Sequence, residues 1–445
     1  MHRPRLLTPA LTFTALFAAS SLASAQAPPA EITFTEALQR ATSAPTTVRV
    51  ALARAQVSQA QIGSAEAAYY PSVSLNVTPS LRYSESPPFV EVLPRQTTVN
   101  VSVPASARAS MTLYDFGRTS NNVHAAERGA SASREDTRAA VVQAIAAVAT
   151  SYLTVLSDRE AIAAVRATIA QREAHLRIAE GLVTIGTRPP IDRLRATVDL
   201  DVSRLDLTTQ EAREQSDRAA LASALGIDPT REVNITPVDD SALEVDDDPT
   251  RAAEAAVTNR AEFRAARERL AQTEAQLAAT RSGRNPILAV QGDGAIQYTA
   301  ALEGNAPSGI SQSAAATLVL NWPIFDPTVR ANIRVAEANV TVARENLTAQ
   351  TLQVRTAAVQ AAISARSARL ALEQSERLAA GAAATLDSAT GRYQSGAAPL
   401  LELIDAQAAD ANARITVVRA RLSWHLARVN LLAATGQIEN LARPR

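Results

Sequence analysis

The sequence predicts a mainly α-helical chain with transmembrane β-structure, laid out as two tandem copies of one design. Three observations carry this. Four segments alternate apolar and polar residues with the two-residue period of a strand. Two long proline-free runs show the three-and-four spacing of a helix seam. The same order of parts recurs at a nearly fixed offset. Ala126-Glu127 returns as Ala336-Glu337, Gly186 as Gly396, Pro189 as Pro399, Asp192 as Glu402 and Gly226 as Gly436, each 210 positions on. Residues 26–240 are read as the first copy and 241–445 as the second.

The elements follow in order. Arg3 and Arg5 precede an apolar run from Leu6 to Ala19, and Ala23-Ser24-Ala25 is a small-residue cleavage pattern, so residues 1–25 read as a secretory signal peptide. A helix is expected from Thr35 to Ala68. Ser72 to Tyr83 then alternates Val73, Leu75 and Val77 against Ser74, Asn76 and Thr78. After a proline-rich loop (Ser84 to Arg95), Val99 to Leu113 places apolar or small residues at every odd position. The expected β-hairpin is 72–113. At Tyr114-Asp115-Phe116-Gly117 the alternation stops. Asp115 is suited to cap the next helix, and Gly117 to turn the chain sharply.

From Arg118 to Ile185 there is no proline, and Val141, Ile145, Val148, Tyr152, Val155, Ile162 and Ile169 form a seam whose skipped positions hold Arg159 and Arg166. Such a run spans roughly 100 Å. The turn from Gly186 to Pro190 ends it, and a second helix returns from Ile191 to about Leu225, closing a helical hairpin over 118–225. Ile227 to Pro249, with Asp246-Asp247-Asp248, reads as a solvated acidic connector. The second copy repeats the plan: a helix from Thr250 to Thr280, a β-hairpin over 287–322 (Ile287 to Tyr298, weakest around Gly292-Asp293-Gly294, then Ile310 to Trp322), a joint at Asp326-Pro327, and a helical hairpin over 329–435.

Composition narrows the function. The chain has 445 residues with 44 basic and 44 acidic side chains; every basic one is arginine, and the zero net charge argues against a nucleic-acid partner. Cysteine is absent, which removes disulfides, thiol nucleophiles, cysteine metal sites and N-terminal lipidation. The four histidines (His2, His124, His175, His425) are scattered, so no metal, cofactor or catalytic residues are expected. After the signal no run approaches about 20 apolar residues, so no transmembrane helix is expected.

Alternating strands on an exported chain suggest a membrane β-barrel, with apolar faces toward lipid; the competing reading is a pair of soluble hairpins packed on one face. Four strands cannot close alone, and an open edge in lipid is prohibitively costly. Closure must then come from several chains, and three or more leave a bore.

The motif Leu113-Tyr114-Asp115-Phe116-Gly117-Arg118, the tandem repeat, Ile185-Gly186-Thr187 with Asp192, and the run from Arg392-Tyr393-Gln394-Ser395-Gly396 to Leu401-Glu402-Leu403-Ile404-Asp405-Ala406 together resemble the TolC-like outer-membrane efflux proteins over essentially the whole mature length. The resemblance implies a homotrimer with a twelve-stranded barrel in outer-membrane lipid of a Gram-negative cell, continuous with a periplasmic α-helical barrel. It implies docking to a periplasmic adaptor (membrane fusion) protein and an inner-membrane transporter of RND, ABC or MFS type. The function implied is a passive exit duct for drugs and other small molecules; type I protein secretion is the alternative within the class, and a periplasmic coiled-coil structural or adaptor protein the alternative outside it.

Glu402 and Asp405 lie three apart on one helix face. If that face points inward, a symmetric assembly rings the entrance with carboxylates, which concentrate cations; the plainer reading is a solvated helix face. The resemblance adds Asp192 and Tyr393 to this periplasmic gate. It also notes a departure: a gate arginine common in the family is Ala398 here, while Arg188 holds the equivalent place in the first copy. Ile185, Gly186, Thr187, Ser395, Gly396 and Ala397 resemble adaptor-docking tips. Asp115, Gly117, Asp326 and Pro327 are the expected strand-to-helix joints.

Overall fold

The computed structural model describes residues 31–86, 96–238, 243–303 and 308–442. The signal peptide, most of the proline-rich loop and the expected boundary between the copies at 240/241 lie outside them. The elements are β1 (Glu31–Ile32), α1 (Phe34–Ala41), α2 (Thr46–Glu66), β2 (Ser72–Val77), β3 (Ser80–Ser86), β4 (Gln96–Tyr114), α3 (Arg118–Thr184), α4 (Pro190–Ala224), β5 (Asn234–Ile235), α5 (Pro249–Asn259), α6 (Ala261–Ser282), β6 (Ile287–Glu303), β7 (Gly309–Asn321), α7 (Pro327–Gln394) and α8 (Leu400–Ala434).

The main sheet runs β2-β4-β6-β7, with β3 beside β2 on the same edge of β4. The expected strand from Ser72 to Tyr83 is two pieces in one unbroken register: Val77 faces Ala105 and Ser80 faces Ser102. The gap falls where Thr78 and Pro79 oppose Val103 and Pro104; two prolines remove two ladder donors at one level. Gly292-Asp293-Gly294, where the alternation is weakest, lies within the 17-residue β6. There it is held on both sides, by β4 and β7.

Both expected leading helices are broken. Thr35 to Ala68 divides into α1 and α2 at Thr42–Pro45, because Pro45 cannot continue the first helix. Thr250 to Thr280 divides at Arg260, which sits in extended conformation. The acidic connector is not simply solvated either. Its β5 pairs in parallel with β1, and Val233, Ile235 and Leu243 are buried among Leu38, Ile145, Val148, Tyr152 and Leu221. The apolar residues embedded in the acidic run decide its path.

This core wraps the middle of α3. An uncharged stretch, Ala139 to Ser157, makes α3 the one described helix long and apolar enough, by length and composition, to cross a membrane. Its Ile145, Val148, Ala149, Tyr152 and Val155 are buried against α1, α4, α8 and the connector, so the protein itself covers that stretch. Beyond it, Arg159 and Arg166 turn to carboxylates on α4, Glu214 at 3.3 Å and Glu211 at 2.8 Å. Glu173 meets Arg204 at 3.1 Å, so charge pairs zip the antiparallel hairpin toward its far end.

Candidate functional site: the sheet face and the hairpin tips

Register decides what the sheet offers its surroundings. Directly opposed residues share a face, and the observed pairings align Leu75 with Ala107 and Gly294, Ala105 with Ile296, Val103 with Tyr298, and Met111 with Val290 and Leu318. Most apolar positions of the limbs therefore stand on one side, with Gln312 among them opposite Ile296 and with Val319, opposite Ala289, on the other. Ser74, Ser110, Arg108, Gln291, Asp293, Gln297 and Thr317 occupy the other, where Arg108 Nε meets Asp293 Oδ1 at 2.6 Å. The described residues leave the apolar side uncovered: Leu75 is 75% exposed and Leu318 64%.

At the joints the sheet hands over to helix. Asp115 accepts from the backbone N–H of Gly117 at 3.2 Å and of Thr119 at 2.7 Å, and Gly117 turns the chain with φ +86°. In the second copy Asp326 accepts from the N–H of Thr328 at 2.8 Å, and Pro327 fills the first helical position, where its missing donor costs nothing. Phe116 (φ +54°) has its ring 4.7 Å from that of Tyr114.

The far ends of α3 and α7 close with matching caps. Gly186 and Gly396 both take φ +78°; Thr187 N–H reaches Leu182 O at 3.0 Å and Ala397 N–H reaches Arg392 O at 2.8 Å. No described residue crowds either glycine, and Ile185 is 70% exposed. Thr187, Ser395 and Ala397 share these turns, so the six tip residues form two open backbone corners. The corners touch: Arg188 Nη2 donates to Ala398 O at 3.1 Å, a contact between two positions 210 apart.

The five expected gate residues separate into two groups. Glu402 and Asp405 line a groove of about 860 Å³ along α7 and α8 with Ser388, Arg392 and Leu401. Glu402 does not stand free there: Arg392 Nη1 lies 2.6 Å from its Oε1. Asp192, Tyr393 and Arg188 are instead gathered behind the tips. Tyr393 and Asp192 are buried, with the Arg188 guanidinium 4.9 Å from the Tyr393 ring centre. Burial, and next to it Asp192, pushes the Tyr393 hydroxyl pKa up, against Arg188. Leu386, Leu400, Leu403 and Ala406 complete this packing with Ile178 and Leu182 of α3.

Sequence reasoning missed two members. Arg392 sits ten positions before its partner across a turn, so only the hairpin geometry reveals the pair. His175 is buried with its ring 5.5 Å from that of Tyr393; the spacing of His175, Ile178 and Leu182 at i, i+3 and i+7 marks the same buried stripe.

A sheet apolar along most of one face, continued by helical hairpins of nearly 70 residues per long helix, defines the class: an outer-membrane channel whose wall extends into the periplasm. The chain belongs to the outer membrane efflux protein family, which matches residues 37–227 and 252–437. It is 27% identical to Protein CyaE of Bordetella pertussis over 424 residues, covering 92% of this chain and 86% of that protein. Its fold matches the crystal structures of CusC (TM-score 0.77, 18% identity, 97% of this chain and 99% of that one) and of the Campylobacter jejuni outer membrane channel CmeC (TM-score 0.75, 16% identity, 98% and 94%). The protein is an outer-membrane channel of an efflux or secretion system.

Proposed function

We propose that three copies of this chain complete a twelve-stranded barrel and a helical duct, through which small molecules delivered by an inner-membrane transporter leave the cell passively. The repeat halves 26–240 and 241–445 are the units of that wall. One observation carries the reading: a sheet apolar on one face ends in two open edges, the β2/β3 edge and that of β7. In hydrocarbon each unpaired backbone group costs several kcal/mol, so the edge of β7 must meet β2 and β3 of a neighbour. Ile185-Gly186-Thr187 and Ser395-Gly396-Ala397 are the docking corners for a periplasmic adaptor, supported by their exposed, uncrowded backbone. Glu402 and Asp405 form the carboxylate ring at the mouth, partly neutralised by Arg392.

The mass of the detergent-solubilised particle tests the assembly. Three chains per particle, retained in outer membrane after high-salt washing, is the expected result; release as a monomer by osmotic shock overturns it. Glu402→Ala with Asp405→Ala tests the mouth and is expected to weaken cation blockade in planar bilayers.

A further inference from the structure

The packing behind the tips holds a titratable group that the duct reading leaves idle. His175 is only 6% exposed, and its ring meets Tyr393 edge to face. His175 Nε2 and Tyr393 Oη have no hydrogen-bond partner among the described residues, although both side chains are more than nine-tenths buried. Charged groups approach from each side. Asp192 and Asp199 lie on α4, Arg188 comes from the first turn, and on α3 itself Arg172 Nη1 donates to Asp199 O at 2.5 Å. From α7 the titratable neighbour is Tyr393; α8 adds the apolar Leu400, Leu403 and Ala406 to that packing, and farther along it carries the buried Asp410, paired with Arg414 at 2.9 Å.

We propose that His175 is a proton-responsive positioning residue for the channel mouth: neutral, it seats Tyr393 and holds the second helical hairpin against the first; protonated, it releases that contact and favours the open mouth. The proposal rests on the tips being the mouth of the duct. Protonation leaves both ring nitrogens carrying N–H groups, and no described residue accepts from Nε2. Burial holds the imidazole below its ordinary range, with Asp199 and then Asp192 pulling the other way. An opened tip would hydrate the ring and restore its usual proton affinity, about pH 6.5. The state that binds the proton more tightly gains as pH falls, so acid favours opening. Above about pH 6.5 the imidazole is neutral in both states and the closed packing keeps its full stability; that stability is lost as pH drops below this value.

The test is single-channel recording of the full-length channel, with the periplasmic side stepped from about pH 8 to pH 5. Open probability should rise on acidification, roughly tenfold for each unit by which the imidazole pKa differs between states. His175→Gln and His175→Asn should abolish the rise, and His175→Arg should open the mouth at pH 8. Asp158, pushed up to about 7 by burial and its hydrogen bond to Asp217, lies on the same helix pair; Asp158→Asn should leave the rise intact. An unchanged acid response in both neutral variants, or none in the native channel, overturns the proposal. The mouth itself is tested apart from this: cation blockade that survives Glu402→Ala with Asp405→Ala removes the mouth reading, whatever the pH response.

Discussion

Tyr152 ties three segments together through one hydroxyl. Its Oη lies 3.0 Å from Ile32 O and 2.7 Å from Thr236 O, and accepts the Thr236 N–H at 3.1 Å. Its ring stands edge-on to Phe34 at 5.3 Å. Tyr152→Phe keeps the ring packing but leaves these backbone groups short of a partner in a buried site. The expected loss is about 1–3 kcal/mol, read as a lowered unfolding midpoint of the purified channel, with conductance unchanged. Residue roles were unevenly legible beforehand. Tyr152 stood on the seam by spacing alone, and Asp115 and Asp326 were marked as caps by residue type. Partners separated by a turn or by the whole repeat, such as Arg392 with Glu402 or Arg188 with Ala398, depend on tertiary approach that no local pattern encodes.

At the scale of the element, two pairs of helix stops use the same backbone device in opposite surroundings. Gly226 and Gly436 take φ +70° and +71°, and a Cβ at Gly226 would stand 2.8 Å from Ala44 O. At Gly186 the same left-handed turn meets open space. Gly226→Ala should therefore cost clearly more than the roughly 1–2 kcal/mol of conformational strain expected of Gly186→Ala, a ranking that thermal unfolding of the two variants checks. In the proposed assembly Gly186→Ala should instead weaken adaptor capture. Long helices and joints were readable because periodicity and turn residues act within a few positions. The breaks at Pro45 and Arg260 were not, since neighbouring helical patterns run on through them. The β1–β5 pairing was hidden as well: two residues pair with two others about 200 positions away, and neither pair has a period.

The whole molecule is governed by the parity of its sheet. Every limb contributes apolar residues to one side, so an arginine should be tolerated or costly according to an odd or even step. Leu75→Arg, on the apolar side, should cost about 2–4 kcal/mol if it lies near mid-membrane, whereas Ser74→Arg should cost little. Outer-membrane yield and heat-resistance of the assembled particle on gels measure the difference. The one-sidedness was predictable from alternation within each segment. The alignment between segments was not, because it depends on hairpin registers set by loops and on shifts at Val99/Asn100 and Thr112/Tyr114.

The two uncovered margins of that sheet have a consequence for inheritance. In the proposed three-copy ring each margin is matched by the opposite margin of the next copy, so a chain damaged at β7 can still enter through β2 and then strand its neighbour. Where half of the copies in a cell carry such damage, only about one ring in eight is wholly sound. A lesion of this kind would behave as dominant, whereas a lesion that prevents export altogether would be masked by the healthy allele.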